Sequence, residues 1–155
     1  MFAVDIPQTI KQAYQDLKDG GDPWVAIGDF SHDWYGNYPE PNQRADLVAE
    51  PVELPEGEVS PEQFLQLRQW AAFCAASVEY LCELAGISTP AWTADPQYTL
   101  SEEAFYTSPL AYKPRVRERL EREAPEAFKR RHIYCSERIY ANKYEATPVH
   151  TQQSA

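Results

Sequence analysis

Several features that would decide a function class are missing from this chain. Its three cysteines, Cys74, Cys82 and Cys135, are an odd, widely spaced set with no C-x-x-C pair. That pattern is not a secreted disulfide framework. The N-terminus has no basic start followed by an apolar run, and no stretch approaches the ~18 uninterrupted apolar residues of a membrane span. A cytoplasmic protein with no membrane partner is therefore expected. H-E-x-x-H, P-loop, G-x-G-x-x-G and G-x-S-x-G patterns are absent, and no internal repeat occurs. The segment GDFSHDWYG lacks a phosphate cradle. No cofactor is implied.

Positive charge is also scarce. Fourteen Lys and Arg stand against 24 Asp and Glu, a net charge of −10. A phosphate-binding protein usually carries a basic excess, so non-specific attraction to nucleic acid or anionic lipid is disfavoured. The deficit is uneven. Residues 1–112 carry 18 acids against 4 bases and residues 113–155 carry 6 acids against 10 bases, a split of −14 and +4 within that total. An acidic body with a basic end suits self-association or a bipolar partner.

What is present is enough for one domain. At 155 residues, with 43% hydrophobic and 25% charged residues, the chain is globular in composition. Aromatics reach 13%; most should be core, though rings of this kind also anchor interfaces. Ile6, Ile10, Tyr14 and Leu17 give residues 5–18 a helical period, ended by Gly20-Gly21. Asp22-Pro23 opens a second helix with Trp24, Ile27, Phe30 and Trp34 inward and Gly36 as its end. Residues 37–59 hold four prolines among acids and amides and read as an extended acidic connector, with room for a short helix from Asn42 to Ala49.

The strongest signal is S-P-E-Q at Ser60 to Gln63, a capping box with proline at the first helical position. Phe64, Leu67, Trp70, Cys74, Val78, Leu81 and Leu84 then form a stripe that ends at Gly86, with Ala71, Ala72, Ala75 and Ala76 allowing close helix approach. Ser101 can cap a short turn. Pro114 and Pro125 open two further helices, RVRERLERE and EAFKRRHIY, and 133–144 can be helix or strand. The expected fold is all-α: a compact bundle of four to five helices around the 60–85 helix, covering residues 1–145, with a frayed tail at 146–155.

Three kinds of chemistry compete for the site. A metal would need more ligands than Asp29, His32 and Asp33 on one helical face, or His132 with Cys135, provide. Cys74 and Cys82 belong to the apolar stripe, while Cys135 lies near His132 and three bases that would lower a thiol pKa, making it the candidate for a thiol-dependent enzyme. Nucleic acid has a stronger claim. Lys113, Arg115, Arg117, Arg119, Arg122, Lys129, Arg130 and Arg131 cluster, and Tyr134, Tyr140 and Tyr144 interleave bases there as rings able to stack nucleobases. An Arg119–Glu123 pair on one helix face would neutralise part of it.

Binding another protein fits more of these facts. An acidic body can cap a phosphate-binding cleft, and Lys129, Arg130, Arg131, Tyr134 and Arg138, with Trp92 and Tyr98, make a candidate binding surface. The bland alternative is that Arg130 and Arg131 pair with carboxylates of their own chain, an intramolecular clasp.

The ordered set PWVAIGDFSHDWYG, EYL at 79–81, P-x-W at 90–92 with DP at 95–96, and P-x-x-F-K-R-R at 125–131 resembles a bacterial helical domain found alone or behind an Xre-type helix-turn-helix, often beside nucleotidyltransferase-type toxins. The matching positions are Trp24, Asp29, Phe30 and Tyr35; Glu79, Tyr80 and Leu81; Pro90, Trp92, Asp95 and Pro96; and Pro125, Phe128, Lys129, Arg130 and Arg131. Lys129 stands where the family would have arginine, and residues 1–21 hold one helix at most. The resemblance implies an antitoxin-like or regulatory partner of a toxin or nucleic-acid-processing enzyme. It brings no catalytic residue.

Overall fold

Where a polar residue precedes a proline in this chain, a helix usually begins. The computed structural model describes residues 6–101 and 103–141; the expected tail and Tyr144 lie outside them. Helix α1 (Ile10–Lys18) is capped by Thr9, whose Oγ1 accepts from the Gln12 amide at 3.0 Å. Helix α2 (Pro23–His32) starts behind Asp22, whose Oδ1 accepts from the Trp24 amide at 2.8 Å. Helix α3 (Pro41–Val48) forms inside the connector, where the Glu40 amide donates to Gln43 Oε1 at 3.2 Å. Helix α4 (Pro61–Ala85) starts behind Ser60, whose Oγ accepts from the Gln63 amide at 3.1 Å. Each leading proline supplies the helical φ and gives up only an N–H that would be unpaired there. The α4 terminus is a left-handed Gly86 at φ 71°, with the Ile87 amide returning to Cys82 O at 3.1 Å.

Past residue 100 two strands of two residues flank two helices. Strand β1 (Phe105–Tyr106) is followed by α5 (Pro114–Glu123), α6 (Glu126–Lys129) and β2 (Ile133–Tyr134), and the two strands pair in parallel with Phe105 opposite Ile133 and Tyr106 opposite Tyr134. The molecule is mostly helical, as expected, and no helix among the described residues is long and apolar enough to cross a membrane.

Helix α4 is the axis. Every residue from Ala71 to Glu79 is buried, so its middle is enclosed on all sides and is not a one-faced stripe. Four alanines there keep the cylinder narrow enough for neighbours to close round it. One hydrophobic cluster runs from Ile10 to Tyr140 through this helix. Its large rings meet edge to face, among them Trp70 with Phe105 at 5.1 Å and with Phe73 at 5.3 Å. Buried hydroxyls end on oxygens: Tyr14 donates to Leu67 O and Tyr140 to Ser77 Oγ, both at 2.7 Å, and Ser77 donates onward to Phe73 O at 2.8 Å. Such satisfaction removes the desolvation penalty that bare polar tips would carry in the core.

Several expectations are corrected. The stripe frays at its ends: Phe64 and Leu84 face solvent, as does Ile6. Trp24 is 45% exposed and not a core residue, although its ring meets Trp70 at 5.2 Å. Gly36 does not stop α2; a π-helical turn, Asp33–Asn37, continues past it, fastened by the Asn37 side chain donating to Asp33 Oδ1 at 2.7 Å. Residues 105–106 are extended where a turn behind Ser101 was expected. The helix from Pro125 lasts only four residues, because His132 takes φ 62° and redirects the chain into β2.

The proline-rich connector is fastened down by ring tips. Trp92 Nε1 donates to Val48 O at 2.9 Å and the Tyr98 hydroxyl to Val52 O at 2.5 Å. Lys18 Nζ donates to Glu53 O at 2.8 Å, and Lys11 pairs with Glu50 and Glu53. At the end of α3 and beyond it, the connector thus has carbonyls claimed by the body.

Candidate functional site

The bases at the end of α6 meet the central helix. Arg130 Nη1 lies 2.5 Å from Glu79 Oε2 and Arg131 Nη1 lies 2.5 Å from Glu79 Oε1, so one carboxylate of α4 is held by two guanidinium groups. Arg131 also donates to Ala127 O at 2.7 Å and to Thr93 O at 2.8 Å. Only 4% of Arg131 is exposed, whereas the Arg130 side chain is 48% exposed. The intramolecular clasp is therefore what these two residues form. Arg131 is corrected from a surface residue to a buried structural one, and Arg130 keeps one exposed flank.

The other expected binding residues are dispersed. Lys129 donates to Arg122 O at 3.4 Å at the α6 terminus. Tyr134 packs its ring on Tyr106, 5.1 Å between centroids. Arg138 is exposed and its side chain has no partner among the described residues. Tyr98 is buried and Trp92 half-buried; both clamp the connector and are not open to a ligand over their whole surface. Tyr140 is buried, which removes it from any stack of nucleobases, and burial pushes its phenol well up.

The thiol expectation is also corrected. Cys135 is completely buried, and burial pushes its thiol up to about 12 from an ordinary value near 9, the reverse of activation by basic neighbours. Cys82 is pushed up to about 11, chiefly by burial, and buried Cys74 rises as well. Asp33 accepts from the Gln8 amide at 2.7 Å as well as from Asn37. Among the described residues no group of three or more His, Cys, Asp or Glu side chains converges as a metal would require.

Two concavities share the 89–99 segment as a wall. One, of about 430 Å³, is lined by Glu79, Arg130, Arg131, Thr89, Thr93 and Thr99, among others. The second, about 420 Å³, lies between that segment and the connector and is lined by Glu53, Glu56 and Asp95 together with Trp92, Tyr98 and Phe64; among the described residues no base lines it. Glu53 is shared with Lys11, but Glu56 and Asp95 enter no ion pair among the described residues. Sequence reasoning placed Trp92 and Tyr98 at a surface of interest and read the connector as acidic, but it did not single out Glu53 and Glu56 or bring them together with Asp95.

Helix α5 presents the remaining basic surface. Arg115, Arg119 and Arg122 are exposed along one face and form no ion pair among the described residues, so the expected Arg119–Glu123 bridge is not made. Arg117 is committed elsewhere, its guanidinium 4.5 Å from the Tyr106 ring centroid and its Nε donating to Ala111 O at 3.2 Å. The Tyr106 hydroxyl in turn bonds Glu121. Leu110 and Tyr112, just before the helix, are largely exposed.

Comparison with protein-family models, with curated proteins and with solved structures finds no match to this chain.

Proposed function

We propose that this is a non-enzymatic protein-binding module, an antitoxin-like or regulatory partner of another protein, and that it docks a basic segment of that partner in the acidic groove beside the connector. The observation carrying this reading is the groove itself: Glu53, Glu56 and Asp95 rim a concavity with Trp92, Tyr98 and Phe64 in its wall and no base among its lining residues. Carboxylates on a rim steer a cationic partner, while the exposed parts of the Trp92 and Phe64 rings accept the aliphatic stem of a Lys or Arg side chain or its guanidinium. A toxin or nucleic-acid-processing enzyme, with a basic cleft for phosphates, is the class of partner that such a groove suits. The toxin-linked part of the reading comes from the family resemblance.

The test is capture from the source cell by the tagged full chain and by Glu56→Lys/Asp95→Lys, both exposed positions. The proposal expects the same protein to be recovered repeatedly by the wild type and lost with the charge reversal. Equal recovery by both chains overturns it.

A second reading has one observation in its favour, the unpaired arginines of α5. If RNA co-purifies in a salt-sensitive manner and is lost with Arg115→Gln/Arg119→Gln/Arg122→Gln, nucleic-acid binding replaces protein docking.

A further inference from the structure

We propose that the cavity beside Glu79 is a binding site for a small molecule bearing one oxyanion group, a carboxylate or a phosphate monoester. This does not depend on docking in the acidic groove, which lies on the other side of the 89–99 segment.

The first support is unused donors. Two guanidinium groups carry ten N–H bonds between them. Arg131 uses three, to Glu79, Ala127 O and Thr93 O, and Arg130 uses one, to Glu79. Arg131 Nε has no acceptor among the described residues; it is closed to solvent, so the donors most open to a ligand are those of Arg130. An orphaned donor on a buried cation is a costly feature, and both arginines stand in the cavity wall. The hydroxyls of Thr89 and Thr99, in the same wall, have no hydrogen bond among the described residues, whereas that of Thr93 donates to Pro90 O at 2.9 Å.

The second support is charge. Two guanidinium groups against one carboxylate leave the wall at a formal +1, and among the described residues no second acid lines the cavity. A carboxylate balances that excess and a phosphate monoester more than offsets it, and a guanidinium fork matches the paired oxygens of either. The rest of the molecule selects for small size. With a net charge of −10, the chain repels a polyanion, while a compact anion can still reach one local positive spot. About 430 Å³ lies within the roughly 300–1,000 Å³ typical of small-molecule sites.

The experiment follows thermal unfolding of the full chain during titration with inorganic phosphate and, separately, with acetate, chloride holding ionic strength constant. A saturable rise in Tm with either probe is expected. Phosphate alone assigns a phosphate monoester, acetate alone a carboxylate, and both a general oxyanion site. Arg130→Gln leaves the Arg131–Glu79 pair in place and should weaken binding roughly tenfold or more, the effect of losing a charge-assisted hydrogen bond. Arg122→Gln on α5 should leave it unchanged. Amide and arginine Nε–H chemical shifts of the unmutated chain give a check free of folding effects: signals of Thr89, Thr93, Arg130 and Arg131 should move and those of α5 should not. No saturable shift with either probe, equal binding by Arg130→Gln, or shifts confined to α5 overturns the proposal.

Discussion

Replacing Glu79 with glutamine tests the centre of this fold with the smallest change of shape. The side chain is 11% exposed and its two oxygens face Arg130 and Arg131 separately. Glutamine keeps the volume and one acceptor but removes the charge and turns an NH₂ group toward a guanidinium. The loss should come almost wholly from the Arg131 side. That side chain is 5% exposed, and stranding one member of a buried pair costs about 3–5 kcal/mol. Arg130 is half in water, where an ion pair contributes about 0–1 kcal/mol. Glu79→Gln should therefore destabilise by about 3 kcal/mol, lowering Tm by roughly 6–12 °C at the 2–4 °C per kcal/mol typical of a chain this size. Arg130→Gln should fall below about 1 kcal/mol. A third variant separates charge from packing: in Glu79→Leu/Arg131→Met neither charge is stranded, so much of the single-mutant loss should return. Urea unfolding followed by circular dichroism gives all three free energies. The reasoning is refuted if Arg130→Gln and Glu79→Gln prove equally destabilising, or if Glu79→Gln is nearly silent.

The thiols should be inert in the native state: with burial holding Cys135 at about 12 and Cys82 at about 11, iodoacetamide at pH 8 should label the folded chain far more slowly than the chain in urea. Rapid native labelling of Cys135 would restore the reactive-thiol reading. The same shifts set an alkaline limit. These groups have folded values raised above an unfolded value near 9, so their contribution is complete below pH 9 and is lost as pH rises from about 9 toward 12, each at up to about 1.4 kcal/mol per pH unit. Denaturation midpoints that stay flat from pH 8 to 11 would contradict this. Trp92→Phe removes the donor to Val48 O and should cost about 1–3 kcal/mol, with faster amide exchange concentrated in residues 48–54; uniform change across the chain would show that the ring tip is not what fastens the connector.

The helix starts were legible because capping is local. Asp22-Pro23 and Ser60-Pro61 carry their own instructions within four residues, and the 25-residue α4 supplies enough turns for a period to emerge. The ends of that stripe were misread for a related reason. Periodicity records a face but not where the cover over that face ends, and Phe64 and Leu84 are exposed. Strands of two residues, Phe105–Tyr106 and Ile133–Tyr134, lie below any period. The short α6 depends on long-range partners: Arg131 returns to Ala127 O within the turn and also reaches Glu79, 52 positions back. Nothing within the 125–134 window announces that carboxylate. Trp92 and Tyr98 could be flagged as unusual rings near prolines, but their fastening role needs Val48 and Val52, more than 40 residues earlier.

The clasp changes how the charge split should be understood. Counted along the sequence, residues 1–112 stand at −14 and residues 113–155 at +4. Arg130, Arg131 and Glu79 form one cluster, so two of those positive charges and one of the negative charges no longer belong to opposing poles. What remains is −13 against +2. The basic end is thus weaker than the composition implies, reduced largely to α5, Lys129 and Arg138, while the acidic body is nearly undiminished. A surface of that balance gives a nucleic acid little to hold and gives a basic protein segment a broad attractive field. Within that field Glu56 and Asp95 enter no ion pair among the described residues, although Asp95 Oδ1 accepts from the Gln97 amide at 3.0 Å, and they stand at the edge of an aromatic-walled groove, where desolvation can strengthen what long-range attraction begins. Reversing those two charges removes about a third of the −13 excess, since each change shifts it by two, so association rates should fall and lose much of their salt dependence. If rate and salt dependence are instead governed by the α5 arginines, the acidic groove is not where the partner arrives.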